Sequence, residues 1–361
     1  MRQLVALTAL VIGCGEARVA EVYPSIGRID AARVEGRILE VEDDDDDRTE
    51  PIRALDDDGA EGVRVQVLVG GKRAGTAESN GDGGFAVSLD RDSRQRPGTR
   101  RVVVRAAEGL LGVGRVTLLP TDRAPLVVTS DVDMTYLETR FARIVEIQRL
   151  LVMPARDHRP LEGMPGLFRR LRRRADALRF VSGSPGFFRR HLAARLEIDG
   201  IAYDELTLKP FGEIAARRWT QPATIEAALR EQVGYKVLAL LDGRLRLPRV
   251  CREVLLGDDT EMDAYAYGIY RDVLRPGGWS DSRLLQALAD MGVDRSSRPP
   301  ILEAAGRARS WARGGGVVLI GIRETDRPNR DHPAHRVAGP GVVFHRATGD
   351  LGRALASQGI L

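Results

Sequence analysis

The spacing of apolar and polar residues divides the chain into two regions. Between Ala32 and about Pro120, apolar and polar residues alternate, most regularly over 63–69, which is the pattern of strands with one buried face. Turn-forming sequences rich in glycine, such as Asn80 to Gly84, separate these segments. Less regular strand-like segments follow the same pattern, at 34–41, 84–89, 101–106 and 114–119. We therefore predict a small all-β sandwich domain over residues 32–122.

Beyond Pro125, short apolar runs alternate with longer segments of helical spacing. Strands are predicted at 126–130, 179–185, 252–256, 316–322 and 341–344, and helices at 137–153, 165–178, 186–196 and the C-terminus. This alternation is typical of an α/β fold with a Rossmann-like parallel sheet covered by helices on both faces. We assign it to residues 123–361, with a helical insertion at about 275–313 whose role the sequence does not indicate.

The predicted helix at 165–178 has one apolar face and five arginines around the rest of its surface. Such a helix can lie on an anionic membrane. The interpretation we favour is that its apolar face packs on the sheet and its arginines are solvated.

The first 14 residues resemble a bacterial lipoprotein signal peptide. A positive start is followed by an apolar stretch, and Val11 and Gly13 precede Cys14 with the spacing of a lipoprotein cleavage site. Lipid on Cys14 would anchor the protein to a membrane of the bacterial cell envelope, facing the periplasm or exterior, with 15–31 as a tether. An ordinary secretory signal is the alternative. Only Cys251 would remain, so we expect no intrachain disulfide.

Composition limits the classes of partner. The hydrophobic fraction of 43% fits a folded body, and the net charge of +4 comes almost wholly from arginine, since the chain has only three lysines. With 5% aromatic residues and no basic block interleaved with aromatics, we expect no nucleic-acid binding. The acidic runs at 42–47 and 56–58 lack the ligand spacing of a calcium loop, so a solvated loop is favoured.

The candidate chemistry is concentrated after the strand at 126–130. Asp131 and Asp133, followed by Thr135, stand where that strand ends, so the two carboxylates can converge on one point. Carboxylates held that close repel each other unless a cation or a proton lies between them. A hard metal ion with a carboxylate nucleophile is the simplest explanation.

Further polar residues follow later strands in the order of a known motif set. Ser182 follows the second strand, Lys236 comes next, and Asp258 ends a third strand. Ligands of parallel sheets bind at the carboxyl ends of strands, where Asp131, Ser182 and Asp258 all fall. His332 and His335 lie in a loop without a third metal ligand, so we interpret them as surface residues.

Three sequence strings carry a family resemblance: TSDVDMT at 129–135, FVSGSP at 180–185 and LGDDTEMD at 256–263. In this order they resemble the motifs of haloacid-dehalogenase superfamily phosphatases, and in detail the catalytic domain of the actin-patch-associated phosphatidate phosphatases. The resemblance covers about residues 33–274. This chain departs from the family at Met134, where an acidic residue is usual, and at Gly186, where an aromatic residue is usual.

The resemblance implies a role for each catalytic residue. Asp131 would attack phosphorus, Asp133 would act as the general acid and base, and Lys236 would neutralise developing charge. The phosphoryl group would be bound by Ser182, Thr135 and Lys209.

It also implies a Mg²⁺ cofactor. Its ligands would be Asp131, the main-chain carbonyl of Asp133, and Asp258. Asp259 and Asp263 would lie behind these ligands and orient the metal-bound waters.

The resemblance thus implies a phosphatase that acts on a phosphomonoester, most simply phosphatidate, through an aspartyl-phosphate. No cap domain is evident between the first two strands, which suits a large or membrane-borne substrate. A phosphatase of soluble phosphomonoesters and a non-catalytic envelope lipoprotein with a retained phosphatase fold are the alternatives. The oligomeric state is not predicted.

Overall fold

The computed structural model describes residues 17–41, 59–89, 96–139, 153–210, 222–260, 262–312, 316–325 and 339–361, with only the backbone at 222–231. The predicted signal peptide with Cys14, both acidic runs, His332 and His335 lie outside these ranges. The described residues divide into two compact units, one up to Leu119 and one from Pro120.

The strands of the first unit form two sheets. One has the order β1-β3-β6 and the other β2-β8-β7-β4-β5. In β4 the side chains of Val65, Val67 and Val69 are buried while Arg64 is exposed, as the alternating sequence predicts. The strands are β1 (Ala17–Tyr23), β2 (Ser25–Arg28), β3 (Arg33–Val41), β4 (Arg64–Val69), β5 (Lys72–Glu78), β6 (Gly84–Ser88), β7 (Gly98–Ala106) and β8 (Gly109–Leu119).

The tether predicted at 15–31 is wrong over its described part. Residues 17–23 form β1, which pairs antiparallel with β3, and residues 25–28 form β2, which pairs parallel with β8. These residues form strands because they pair with segments that lie further along the sequence, and their own local periodicity is not strong.

A six-stranded parallel sheet is the centre of the second unit, which confirms the predicted mixed α/β class. Its order is β11-β10-β9-β12-β13-β14, and every neighbouring pair is parallel. All five residues of β9 are buried, as expected for a central strand covered on both faces. The strands are β9 (Leu126–Ser130), β10 (Ala177–Pro185), β11 (Glu205–Lys209), β12 (Arg252–Asp258), β13 (Val317–Arg323) and β14 (Val342–His345).

Seven α-helices of the described chain belong to this unit: α1 (Met164–Arg174), α2 (Arg189–Ile198), α3 (Pro222–Arg246), α4 (Asp263–Leu274), α5 (Asp281–Asp290), α6 (Arg298–Trp311) and α7 (Thr348–Ser357). One apolar cluster joins the sheet to α1, α2 and α7, and another joins it to α3, α4, α5 and α6. The insertion at about 275–313 thus contributes α5 and α6 to a buried core. No described helix combines the length and the apolar character that a membrane crossing requires.

The basic amphipathic helix is α1, and its apolar face packs on the core, as the interpretation favoured from the sequence states. Its apolar residues Met164, Leu167, Phe168 and Leu171 are buried. It ends at Arg174 rather than 178, because Leu178 already belongs to β10 and only coincides with the helical spacing.

The helix predicted from residue 137 is also corrected. Leu137 forms isolated bridges with Asp133 and Pro160, and residues 138–139 are not helical. The rest of the predicted range up to residue 152 lies outside the described residues.

Candidate active site

The candidate site lies where β10, β9 and β12 end side by side. Since β9 pairs with both neighbours, the segments after Ser130, Ser182 and Leu256 meet at one edge of the sheet. The backbone N–H of Asp131 donates to the Leu256 carbonyl at 2.8 Å, which continues the pairing by one residue. The sheet therefore brings together residues that are more than 120 positions apart in the sequence.

Lys236 reaches this edge from α3 and is fully buried. Its Nζ lies 3.0 Å from Asp131 Oδ1 and also donates to Asp263 Oδ1. A buried ammonium is stable only when it is paired, and the two carboxylates pair with this lysine and hold it in place.

Asp131, Asp258 and Asp263 form one acidic cluster. A ligand oxygen from each lies within 4.8 Å of the others, and all three residues are buried. Burial, and then the charge of Asp263, raise the pKa of Asp258 to about 7. Three buried carboxylates facing one ammonium leave an excess of negative charge, and oxygen donors are what Mg²⁺ prefers, so the donor set fits this ion.

The sequence predicts Asp263 behind the metal ligands, whereas the structure places it in the cluster itself. Gly257 makes the approach possible, because a Cβ on Gly257 would lie 2.5 Å from Asp263 Cβ. The backbone N–H of Asp258 also donates to Asp263 Oδ2 at 3.3 Å. A glycine is therefore required before Asp258 for reasons of space.

Asp133 has a different environment from Asp131, since three hydroxyl groups surround its carboxylate. Ser182 and Ser184 donate to Oδ2 at 3.0 and 2.8 Å, and Thr139 donates to Oδ1 at 2.6 Å. Burial raises the pKa of Asp133, although the three hydroxyl donors and Lys236 act in the opposite direction. A carboxyl with a raised pKa can hold a proton for transfer.

Met134, between Asp133 and Thr135, has a φ of 54°, in the left-handed region. Arg323, at the end of β13, donates to the Met134 carbonyl at 3.1 Å, and the Arg323 carbonyl accepts from the backbone N–H of Asp259. The strained backbone after Asp133 is thus bound to the end of β13, two strands from β9 in the sheet.

The other predicted residues are also near this edge. Thr135 donates to Asp258 Oδ2 at 3.3 Å, and Asp259 accepts from both the N–H and the hydroxyl of Thr325. Lys209 is buried at the end of β11, beside Pro185 in the strand register.

The sequence did not single out Ser184 and Thr139 as partners of Asp133. Ser184 stood in the quoted motif without a role. Thr139 had no signal, because it fell in a predicted helix.

Comparisons with known proteins add a family match. Residues 126–275 match the model described as "Phosphatidate phosphatase APP1, catalytic domain", which is less than half of the chain. No curated protein sequence matches the chain.

Solved structures show only distant similarity. The "Biofilm associated protein - BSP domain" is 18% identical with a TM-score of 0.19, and the match covers 30% of this chain and 16% of that one. A structure titled "Structure of PhoD" is 8% identical with a TM-score of 0.33, covering 85% and 71%. Beta-glucuronidase of Parabacteroides merdae is 10% identical with a TM-score of 0.27, covering 85% and 34%. These TM-scores are too low to assign a fold or an activity.

The matched segment begins with β9 and ends just after α4, so it contains Asp131, Asp133, Ser182, Lys236 and the acidic cluster. Residues 126–275 are therefore similar to the catalytic domain of APP1 phosphatidate phosphatases, which indicates that this protein is a phosphatase.

Proposed function

We propose that this protein is a Mg²⁺-dependent phosphatase that hydrolyses phosphatidate to diacylglycerol and phosphate. The observation that carries the proposal is the buried cluster of Asp131, Asp258 and Asp263 around Lys236, inside the segment that matches a phosphatidate phosphatase model. The match supports a phospholipid-type substrate, and the cluster supports phosphoryl chemistry at a carboxylate.

In the first step, a carboxylate oxygen of Asp131 attacks phosphorus and the phosphorus–oxygen bond to the diacylglycerol breaks. Lys236, 3.0 Å from Asp131, stabilises the negative charge on the nucleophile and on the phosphoryl group. Asp133 gives its proton to the departing alkoxide, and the products are diacylglycerol and a phosphorylated Asp131.

In the second step, a water molecule attacks the same phosphorus and the bond to Asp131 breaks. The ionised Asp133 takes the proton from this water, so phosphate leaves and both carboxyl groups return to their starting states. Ser182, Ser184 and Thr139 hold the Asp133 carboxylate in one orientation for both transfers. A Mg²⁺ ion held by Asp131 and Asp258, with Asp263 beside them, would supply charge neutralisation for the phosphoryl oxygens.

Two further assignments are part of the proposal. We assign residues 123–361 to the haloacid-dehalogenase type, because the nucleophile follows the central strand β9 and the acidic motif follows its neighbour β12. We also propose a lipid anchor on Cys14 that holds the protein in the bacterial envelope. Metabolic labelling with palmitate tests the anchor, and equal labelling of a Cys14→Ala variant would reject it.

The enzymatic test compares phosphate release from phosphatidate and from a soluble phosphomonoester. We expect release from phosphatidate to need Mg²⁺, to stop with a chelator, and to be lost in Asp131→Asn. Asp122→Asn, which changes an exposed aspartate of the same unit, is the matched control and should keep wild-type activity.

Each alternative predicts a different result in this assay. Mg²⁺-dependent release from the soluble ester alone would replace phosphatidate as the substrate while keeping the reaction. No release from either substrate would favour a non-catalytic lipoprotein. Release that persists in Asp131→Asn would exclude Asp131 as the nucleophile.

A further inference from the structure

Gln232 is a polar residue of this site that neither the motifs nor the steps above use. It lies on α3, one helical turn before Lys236, and its side chain contacts Gly183, between Ser182 and Ser184 in the last part of β10. A Cβ added to Gly183 would lie only 3.1 Å from Gln232 Nε2 and 3.2 Å from its Cδ. The carboxamide is therefore packed against the end of β10, whose Ser182 and Ser184 hydroxyls hold Asp133.

The close approach of Gln232 explains the glycine in the Ser-Gly-Ser sequence. Gly183 is not among the residues with positive φ, so its backbone conformation is open to any amino acid. A side chain at 183 would instead require the amide of Gln232 to shift by a few tenths of an ångström. The end of β10 and Gln232 are thus packed against each other beside Asp133.

The oxygen of this amide has no hydrogen-bond partner within the described part of the chain. Gln232 Oε1 is buried and accepts no hydrogen bond there. Leaving a buried acceptor unsatisfied costs about 1–3 kcal/mol, so such an atom in an active site points to a partner that enters with the reaction.

The hydrogen bonds of the other site residues restrict what that partner can be. The hydroxyls of Ser182, Ser184 and Thr139 donate to Asp133, that of Thr135 donates to Asp258, and Lys236 lies against Asp131 and Asp263. The non-bridging oxygens of an ionised phosphoryl group cannot donate either, because they are acceptors. A water molecule is the donor that the reaction brings to this place.

We propose that Gln232 binds the attacking water of the second step and orients it on phosphorus. The water donates one hydrogen bond to Gln232 Oε1 and its other proton to Asp133, while its oxygen forms the new bond and the bond to Asp131 breaks. The inference rests on the proposed function, since it assigns a residue to the hydrolysis of phosphorylated Asp131. It leaves the first step, which needs no water, unchanged.

The experiment follows the phosphorylated enzyme in its two halves. Full-length protein is mixed with phosphate-radiolabelled phosphatidate in detergent micelles with Mg²⁺ and quenched with acid, which gives the rate of label incorporation. A chase with unlabelled substrate then gives the rate of label loss. In Gln232→Met, which keeps the length of the side chain, we expect loss to slow by about tenfold or more and incorporation to stay near wild type.

A matched control and a double variant separate this role from a loss of packing. Gln286→Met changes an exposed glutamine that donates to Asp290 on α5, and both of its rates should equal those of wild type. Gly183→Ala should slow label loss in the wild-type background, because the new methyl shifts the amide by a few tenths of an ångström. It should have no further effect in Gln232→Ala, where the amide is gone.

The outcomes separate this inference from the proposed function. A wild-type enzyme that never becomes labelled rejects the covalent mechanism itself. Labelling of wild type together with unchanged label loss in Gln232→Met rejects only the role of Gln232. An equal decrease of incorporation and loss in that variant also rejects it, since Gln232 would then act on the site as a whole.

Discussion

Replacement of Lys236 with methionine should destabilise the second unit strongly when no divalent cation is present. The change removes the ammonium that lies 3.0 Å from Asp131 and also contacts Asp263, and both carboxylates stay buried. At this distance and an effective dielectric constant of about 20, the attraction between one such pair is roughly 5 kcal/mol. Removing one partner of a buried pair typically destabilises a protein by about 3–5 kcal/mol, which is the loss we expect.

Tryptophan fluorescence during urea unfolding can measure this loss in the relevant unit. The sequence has three tryptophans, all after Pro120, and Trp279 and Trp311 lie in the described part of the second unit, so tryptophan fluorescence reports that unit. The experiment is done in a chelator, and the midpoint is compared with that of Lys72→Met, which changes an exposed lysine of β5 and should stay within about 0.5 kcal/mol of wild type.

Added Mg²⁺ should restore part of the stability of Lys236→Met, because a bound cation compensates the same carboxylates. Activity should stay low, since the ion replaces only the charge of the lysine. If Lys236→Met unfolds at the wild-type urea concentration in chelator, Lys236 does not stabilise the cluster and the electrostatic argument is wrong.

Three other changes test separate parts of the structure. Met134→Val should lower the free energy of unfolding by about 1–2 kcal/mol in chemical denaturation, because a β-branched residue is strained at positive φ, whereas Met134→Asn should be tolerated. Gly257→Ala should abolish most phosphatase activity, because its methyl would displace Asp263. Wild-type activity in a folded Gly257→Ala protein would contradict this spatial argument. Burial lowers the pKa of His158, and lowers that of His191 to about 4, so below pH 6.5 the unfolded chain binds protons that the folded chain does not. Stability should therefore fall by roughly 1 kcal/mol per pH unit as pH decreases from 6.5 towards 4, and His191→Gln should reduce this slope in unfolding titrations.

Much of the second unit was predictable because its strands are buried on both faces. The strands at 126–130 and 252–258 each contain three consecutive apolar residues, 126–128 and 254–256, followed within three positions by an aspartate. This pattern indicates a central parallel strand without knowledge of its neighbours. β1 was missed for the opposite reason. Its residues have no strong local pattern, and its pairing with β3 depends on a partner more than ten positions away.

The site was predictable in its residue types but not in its contacts. Asp131, Asp133, Ser182, Lys236 and Asp258 follow strands or stand in order along the chain, and the sheet brings all of them together. The direction of each hydrogen bond depends on side-chain packing, which a sequence does not specify.

Thr135 and Ser182, both predicted to bind phosphate, donate to Asp258 and Asp133 in the structure. Asp263, predicted to lie behind the ligands, reaches the cluster because Gly257 has no side chain.

The two aspartates of the first motif are chemically alike in the sequence and differ only through what the neighbouring elements bring to them. α3 places an ammonium against Asp131, which stabilises negative charge there and suits a nucleophile. β10 instead places the hydroxyls of Ser182 and Ser184 against Asp133, whose pKa is raised by burial, and this suits a group that exchanges protons. The left-handed backbone at Met134 follows directly and turns the chain away after the second carboxylate. The assignment of nucleophile and acid therefore rests on Lys236 of α3 and on Ser182 and Ser184 of β10 as much as on the motif itself.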